Sequence, residues 1–144
     1  EAWERHADGR LYPFNDWHAA MAYLGAGRQA ALDGLVQRLR RTASGDNEVA
    51  GWAMRIALPL IEGFAAFRRG DHAQAAALLH DVRFVANQQG GSHAQRDIID
   101  WTMTEAALRG GQRDLALSFA NERLALKAHS PLNRGFLARA MALS

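Results

Sequence analysis

Residues 58–79 read LPLIEGFAAFRRGDHAQAAALL, and this stretch decides how the chain folds. Leu60, Phe64 and Phe67 fall four and three apart, the rhythm of one helix face. The same rhythm extends backwards through Val49, Trp52 and Ile56, so the spacing predicts one helix over 47–69. Pro59 lies inside that run and predicts a kink or a break, because proline lacks an N–H and crowds the preceding turn. Gly70 then interrupts the pattern, and Asp71 is a natural N-cap for a second helix reaching about residue 87. Ala75, Leu79, Val82 and Ala86 supply its inward face. Two helices closed by a glycine form an α-hairpin.

The rest of the chain is punctuated in the same way. After Pro13 a helix is expected over 14–24, capped by Asn15 or Asp16, and another over 28–42 with Leu32, Leu35, Val36 and Leu39 on one stripe. Gly90 and Gly91 end the helix that begins at Asp71, and Ser92 opens one that runs to Arg109. Gly110 and Gly111 close that helix, and a further one follows over 112–128. Ser130-Pro131 starts the last, serine as cap and proline at the first helical position. No segment alternates with period two. The sequence predicts an all-α chain of about seven helices, read as a single helical-repeat domain over 1–144.

Composition limits the function classes. Apolar residues make up 49% and charged residues 22%, which argues against disorder. The sequence shows no apolar run near the length of a membrane span and no signal-peptide pattern, so no membrane role is expected. Cysteine is absent, which removes disulfides and thiolate chemistry and suits a reducing, cytoplasmic setting. A net charge of +2 with scattered basic residues gives no field suited to nucleic acid, and Arg38, Arg40 and Arg41 read as a solvated helix face. The chain begins at Glu1 rather than Met, which suggests a piece of a longer protein.

The hairpins repeat. GAGRQAALDGL at 25–35, RRGDHAQAAALL at 68–79 and RGGQRDLALSF at 109–119 each end a helix, turn on a glycine and place a small or apolar residue five positions on. The glycines are Gly27, Gly70 and Gly111, and the later positions are Leu32, Ala75 and Ala116. Gly63, Phe67, Gly70 and Ala75 fit the helix–turn–helix logic of a tetratricopeptide unit, although the turns are 43 and 41 residues apart. The words LYPFNDWHAAMAYLGAGR at 11–28 and LPLIEGFAAFRRGDHAQAAALL at 58–79 resemble the tetratricopeptide repeat protein 38 family. So do GGSHAQRDI at 90–98 and ERLALKAHSPLNRGFLARA at 122–140, in the family's order. The resemblance implies an α-α superhelix of irregular hairpins in a soluble protein, with this chain as the C-terminal portion. It carries over no catalytic residues.

GGSHAQRD at 90–97 has two readings. Ser92 and Gln95 form a capping box, and the two glycines suit a tight reversal. His93 and Asp97 can pair on one face, with Arg96 reaching the preceding helix. The other reading joins His93, Arg96 and Asp97 to His18, with Asn15 and Asp16, across a shared face of the first helices of the hairpins. Such a cluster suits a carboxylate or phosphate ligand, or proton transfer. In the structural reading Asp97 is expected to bond His18 or an amide near Asn15, because a carboxylate away from water needs a partner. Of six histidines, none forms a metal-binding word, and neither a metal nor any other cofactor is expected.

The aromatic residues suggest a binding module. Trp17, Phe64, Phe67 and Trp101, with Met21, Leu60 and Ile98, approach the positions that line the groove of a tetratricopeptide array. An open groove of that size would need a cover. The expected partner is a protein or peptide helix, or the missing N-terminal half of the same chain, with a homo-oligomer as a further option. An interaction or scaffolding module is therefore the leading expectation. The alternative is a small-molecule or enzymatic site around His18, His93, Arg96 and Asp97.

Overall fold

Three turns of one kind close the hairpins. At Gly27, Gly70 and Gly111 the backbone is left-handed, with φ of 65°, 89° and 67°. In each, the amide one residue later donates back to a carbonyl five residues earlier: Arg28 to Tyr23 at 2.9 Å, Asp71 to Ala66 at 3.0 Å and Gln112 to Ala107 at 2.9 Å. This is the bonding by which a glycine satisfies the last carbonyls of a helix, and a side chain at that φ would be strained. The following residue then adopts ψ between 65° and 72° and starts the next helix without a side-chain cap. Leu32, Ala75 and Ala116, five positions after the glycines, are all buried.

The computed structural model describes Gly9 and residues 12–144, so Leu11 and His6 lie outside the described residues. Seven α-helices follow one another, with no strand among the described residues: α1 (Pro13–Gly25), α2 (Gln29–Ala43), α3 (Glu48–Arg69), α4 (His72–Arg83), α5 (His93–Arg109), α6 (Arg113–Leu126) and α7 (Pro131–Met141). Helices α1/α2, α3/α4 and α5/α6 are hairpins, and α7 packs on the last. The connections between hairpins use a different device. Asn47, Ser92 and Ser130 stand in extended conformation and accept the amides of Ala50, Gln95 and Asn133 at 2.9, 3.2 and 3.3 Å. Glycine turns within hairpins and polar N-caps between them therefore mark the repeat.

Several local expectations are corrected. Asn15 and Asp16 do not cap α1; Tyr12 precedes it and Pro13 opens it, while buried Asp16 accepts from the Gly9 amide at 3.0 Å. Asp71 does not cap α4, because its ψ of 65° turns the carboxylate away, towards Arg69 Nε at 3.2 Å. Pro59 does not break α3. A π-helical stretch over Ala53–Ala57 lies just before it, and the Leu58 amide reaches back to Ala53. The wider turn makes room for the proline ring. Unbroken, α3 spans 22 residues and holds an 18-residue window of mean hydropathy 1.3, long and apolar enough to cross a membrane by those measures, with half of that window buried inside the fold. Helix α4 ends at Arg83 and is followed by a 3₁₀ turn over Ala86–Gln89, where Val85 and Asn87 are weak helix formers.

The first helices α1, α3, α5 and α7 touch in succession, and each second helix packs on the first helix that follows it. Small residues permit the close approach. A Cβ placed on Gly63 would stand 2.7 Å from Leu79 Cδ2, and Ala66, Ala75, Ala76 and Ala106 form an all-alanine contact between α3, α4 and α5. Gly63→Val should lower the unfolding free energy by about 1–3 kcal/mol through overpacking, read as a reduced urea midpoint. Ser92→Ala should lower it by about 1 kcal/mol, the usual loss for a serine N-cap. An unchanged midpoint in either variant would contradict the packing or the cap described here.

Candidate interaction groove

The residues proposed for a chemical site do not come together. Asp97 faces Arg123 of α6, whose guanidinium donates to both carboxylate oxygens at 3.1 Å. That pairing corrects the expected bond to His18 or to an amide near Asn15. Arg96 is spent on the turn before its own helix, where it donates to the carbonyls of Gly90, at 2.9 Å, and of Gly91. His18 sits one turn into α1, with Nδ1 on the Phe14 carbonyl at 2.8 Å and its ring between Phe14 and Trp17. His93 is exposed at the first position of α5, beside the capping box of Ser92 and Gln95. The turn does meet the first hairpin, but through rings: a Cβ on Gly91 would lie 2.6 Å from Phe14 Cε2. Among the described residues no three His, Asp or Glu side chains are grouped so as to hold a metal.

The aromatic groove is also corrected. Trp17, Leu60 and Phe64 are buried, with the Trp17 and Phe64 rings 5.8 Å apart across the α1–α3 contact. Trp101 is half-buried against Phe136 of α7 at 6.1 Å. Phe67 is half-buried beneath the Arg109 guanidinium, 5.2 Å from its ring centre, with Met21 also half-buried and Ile98 exposed. Trp17, Leu60 and Phe64 therefore serve as core rather than as an open groove lining, while Phe67, Trp101 and Met21 keep part of their surface and Ile98 stays exposed.

The open seams lie between the second helices, which make little contact with each other. The α2–α4 seam holds a cavity of about 460 Å³ walled mainly by Gln29, Asp33, Gln37 and Arg40 of α2 and by Glu62 and Arg69 of α3, with Gln74 of α4 at its edge. Arg40 and Glu62 pair across it at 3.0 Å, and its lining is mainly polar. The α4–α6 seam differs. A cavity of about 200 Å³ is walled by Ala73, Ala76, Ala77 and His80 of α4 and by Leu115 and Phe119 of α6. Phe119 also lines a smaller cavity of about 60 Å³ with Met103, Glu122, Arg123 and Leu126, so the two follow one another along the seam. Three large apolar side chains stand out of it: Phe84 at 64% exposure, Leu115 at 43% and Leu126 at 83%.

The seam is held rigid by its own chemistry. His80 stacks on Phe119 at 5.8 Å and meets the edge of Phe84 at 5.4 Å. The Arg83 guanidinium lies 4.7 Å from the Phe84 ring centre and 5.6 Å from that of Phe119, while donating to Glu122 at 2.7 Å and Asp100 at 3.4 Å. Burial works against its charge, but Glu122 and Asp100 more than restore it, so the arginine is held above its ordinary pKa. Arg123, only 7% exposed, is fixed by Asp97 and by Asn133, whose amide returns a bond to the Arg123 carbonyl at 2.9 Å. The charge of buried Arg123 is partnered, as burial demands, whereas Arg83 makes both of its bonds through Nη1 and its Nε has none.

Sequence reasoning passed over Arg83, Phe84, Leu115, Phe119, Glu122, Arg123 and Leu126. Two signals for them existed. Phe84 is out of phase with the inward set Leu79, Val82 and Ala86. In α6, Leu115, Ala116, Leu117, Phe119, Ala120, Leu124 and Leu126 wrap more of the circumference than one core-facing stripe needs.

No protein-family model matches the chain, and no solved structure matches it.

A second charge cluster ties α5 to α7. Buried Glu105 accepts from Arg139 at 2.6 and 3.0 Å and from Arg109 at 2.6 Å. Burial pushes its carboxyl up, but the bonds and charges of Arg139 and Arg109 outweigh this and hold it below its ordinary value of 4.5. A depressed folded pKa gives stability that is complete above the unfolded value and lost as pH falls through the folded one. Urea denaturation of the native chain should therefore show this loss below about pH 4.5. Glu105→Gln should be less stable at neutral pH and flatter over the acid range; an identical acid profile would mean that the cluster contributes nothing.

Proposed function

We propose that this chain is an interaction module of stacked helical hairpins that docks a helix of a partner protein along the α4–α6 seam. The observation that carries the reading is the line of Phe84, Leu115 and Leu126 exposed above Phe119, in a structure whose other large aromatics are mostly covered. Scattered exposed apolar residues are ordinary, but a row along one cleft with a rigid floor is what helix-in-groove recognition uses. It is the second helices of the hairpins, rather than the first, that offer the surface.

An enzymatic reading has no comparable support, since Arg96 and Asp97 are committed to Gly90, Gly91 and Arg123. The aromatic rings around Phe119 instead favour an apolar anchor inserted between α4 and α6. Buried aromatic and leucine anchors at such sites typically dominate the binding energy.

A nuclear magnetic resonance titration with a helical peptide of about four turns, carrying a leucine stripe and neutral flanks, tests the reading. Shifts should concentrate at residues 73–84 and 112–127. The Phe84→Ala/Leu126→Ala variant should keep its thermal midpoint and lose at least about tenfold in affinity. Shifts spread elsewhere, or binding unaltered in the variant, would reject the seam as the docking surface.

A further inference from the structure

The charge around the seam bears on what kind of helix docks there. Four carboxylates line it: Asp81 from α4, Asp97 and Asp100 from α5, and Glu122 from α6. Their side chains remain open to solvent at 87%, 38%, 37% and 47% respectively. The arginines among the lining residues are placed differently. Arg83 and Arg123 are 15% and 7% exposed at the side chain; Arg83 Nη1 donates to Glu122 and Asp100, and Arg123 donates to Asp97 and Asn133. Among the cationic lining residues of the two cavities, Lys127, at one end, is the exposed one. The lining carries one negative charge net, its carboxylates standing on the solvent side of the arginines they pair with, whereas the chain as a whole carries +2.

We propose, resting on the docking reading above, that the partner segment is a basic amphipathic helix. Its apolar face would lie between Phe84 and the Leu115–Phe119–Leu126 line, with lysines or arginines along its edges facing Asp81, Asp97, Asp100 and Glu122. Helix α6 spans 14 residues, so the seam accommodates about 20 Å of helix, or about four turns. Anchors at one-turn and two-turn spacings would meet the three exposed apolar residues. A carboxylate left partly solvated by its own arginine can take a second cation at its free lone pairs, so the existing pairs survive docking. Exposed pairs add little energy singly, but together they select the sign of the partner and speed encounter.

A second copy of this chain is a poorer occupant. Helix α2 carries Arg38, Arg40 and Arg41, but its apolar face of Leu32, Leu35 and Leu39 is already buried. Helix α7 exposes Leu132 and Met141, nine residues apart, with Gly135 and Ala138 between them, so it lacks the central anchor.

The test uses two peptides of about 15 residues with the same leucine stripe, one flanked by lysine and arginine and the other by glutamate, titrated by calorimetry. The basic peptide should bind at least about tenfold tighter at low salt, and the preference should shrink as salt rises from about 0.02 to about 0.5 M. Asp81→Lys should reduce that preference at least about threefold, each affinity being read against that of the neutral-flanked peptide in the same variant. Equal binding of both peptides, with Phe84→Ala/Leu126→Ala still weakening each, would overturn the charge inference and leave the docking surface standing. Binding of none of the peptides would overturn both. A concentration-dependent dimer that dissociates in Phe84→Ala/Leu126→Ala would overturn the separate partner in favour of a second copy.

Discussion

The left-handed turn at Gly27, Gly70 and Gly111 governs the rest of the structure. A helix of alanine and leucine has no intrinsic reason to stop, and each stop here is made by a residue that can adopt positive φ and let two trailing amides satisfy the last carbonyls. Because the three turns share one backbone geometry, each second helix leaves its partner in the same direction. The first helices are then brought side by side, one hairpin after another. The polar caps Asn47, Ser92 and Ser130 restart the chain between hairpins, so turn and cap together set the phase of the stack.

Close packing on one side of the stack opens the other. The first helices meet through Trp17, Phe64, Trp101 and Phe136, and Gly63 and the alanines of α3, α4 and α5 let neighbouring backbones approach. The second helices are left with little mutual contact and a seam between each pair. What lines a seam then depends on residues with no role in the core. In the α2–α4 seam these are mainly glutamines and ion-pairing side chains, and water can occupy it. In the α4–α6 seam they are Ala73, Ala77 and Leu115 above the core ring of Phe119, with Phe84 and Leu126 projecting, and water is a poor occupant of that part.

Ionic clusters lock these helices in register. Arg83 bridges α4 to α5 and α6, Arg123 bridges α6 to α5 and α7, and Glu105 bridges α5 to α7. Each is a buried charge satisfied from more than one direction, a geometry that tolerates little sliding. A surface meant to receive another helix benefits from such rigidity, since little order remains to be imposed on binding.

By itself the sequence determined the elements. Helical periodicity, the glycines at 27, 70 and 111, the Ser92–Gln95 capping box and Ser130-Pro131 are local signals, and local backbone energetics suffices to act on them. It misjudged Asp71, where the turn's ψ overrides the capping preference, and of the kink or break expected at Pro59 the break does not occur, because a π-helical stretch carries the helix through. The partners of Asp97 and of the aromatic rings were decided by tertiary structure alone. Asp97 and Arg123 are 26 residues apart, and no spacing rule reaches that far. A half-apolar helix such as α6 can turn only part of its surface to the core, and which part is left facing solvent depends on how closely its neighbours pack. For this reason Trp17 and Phe64 became core, while Phe84, Leu115 and Leu126 became surface.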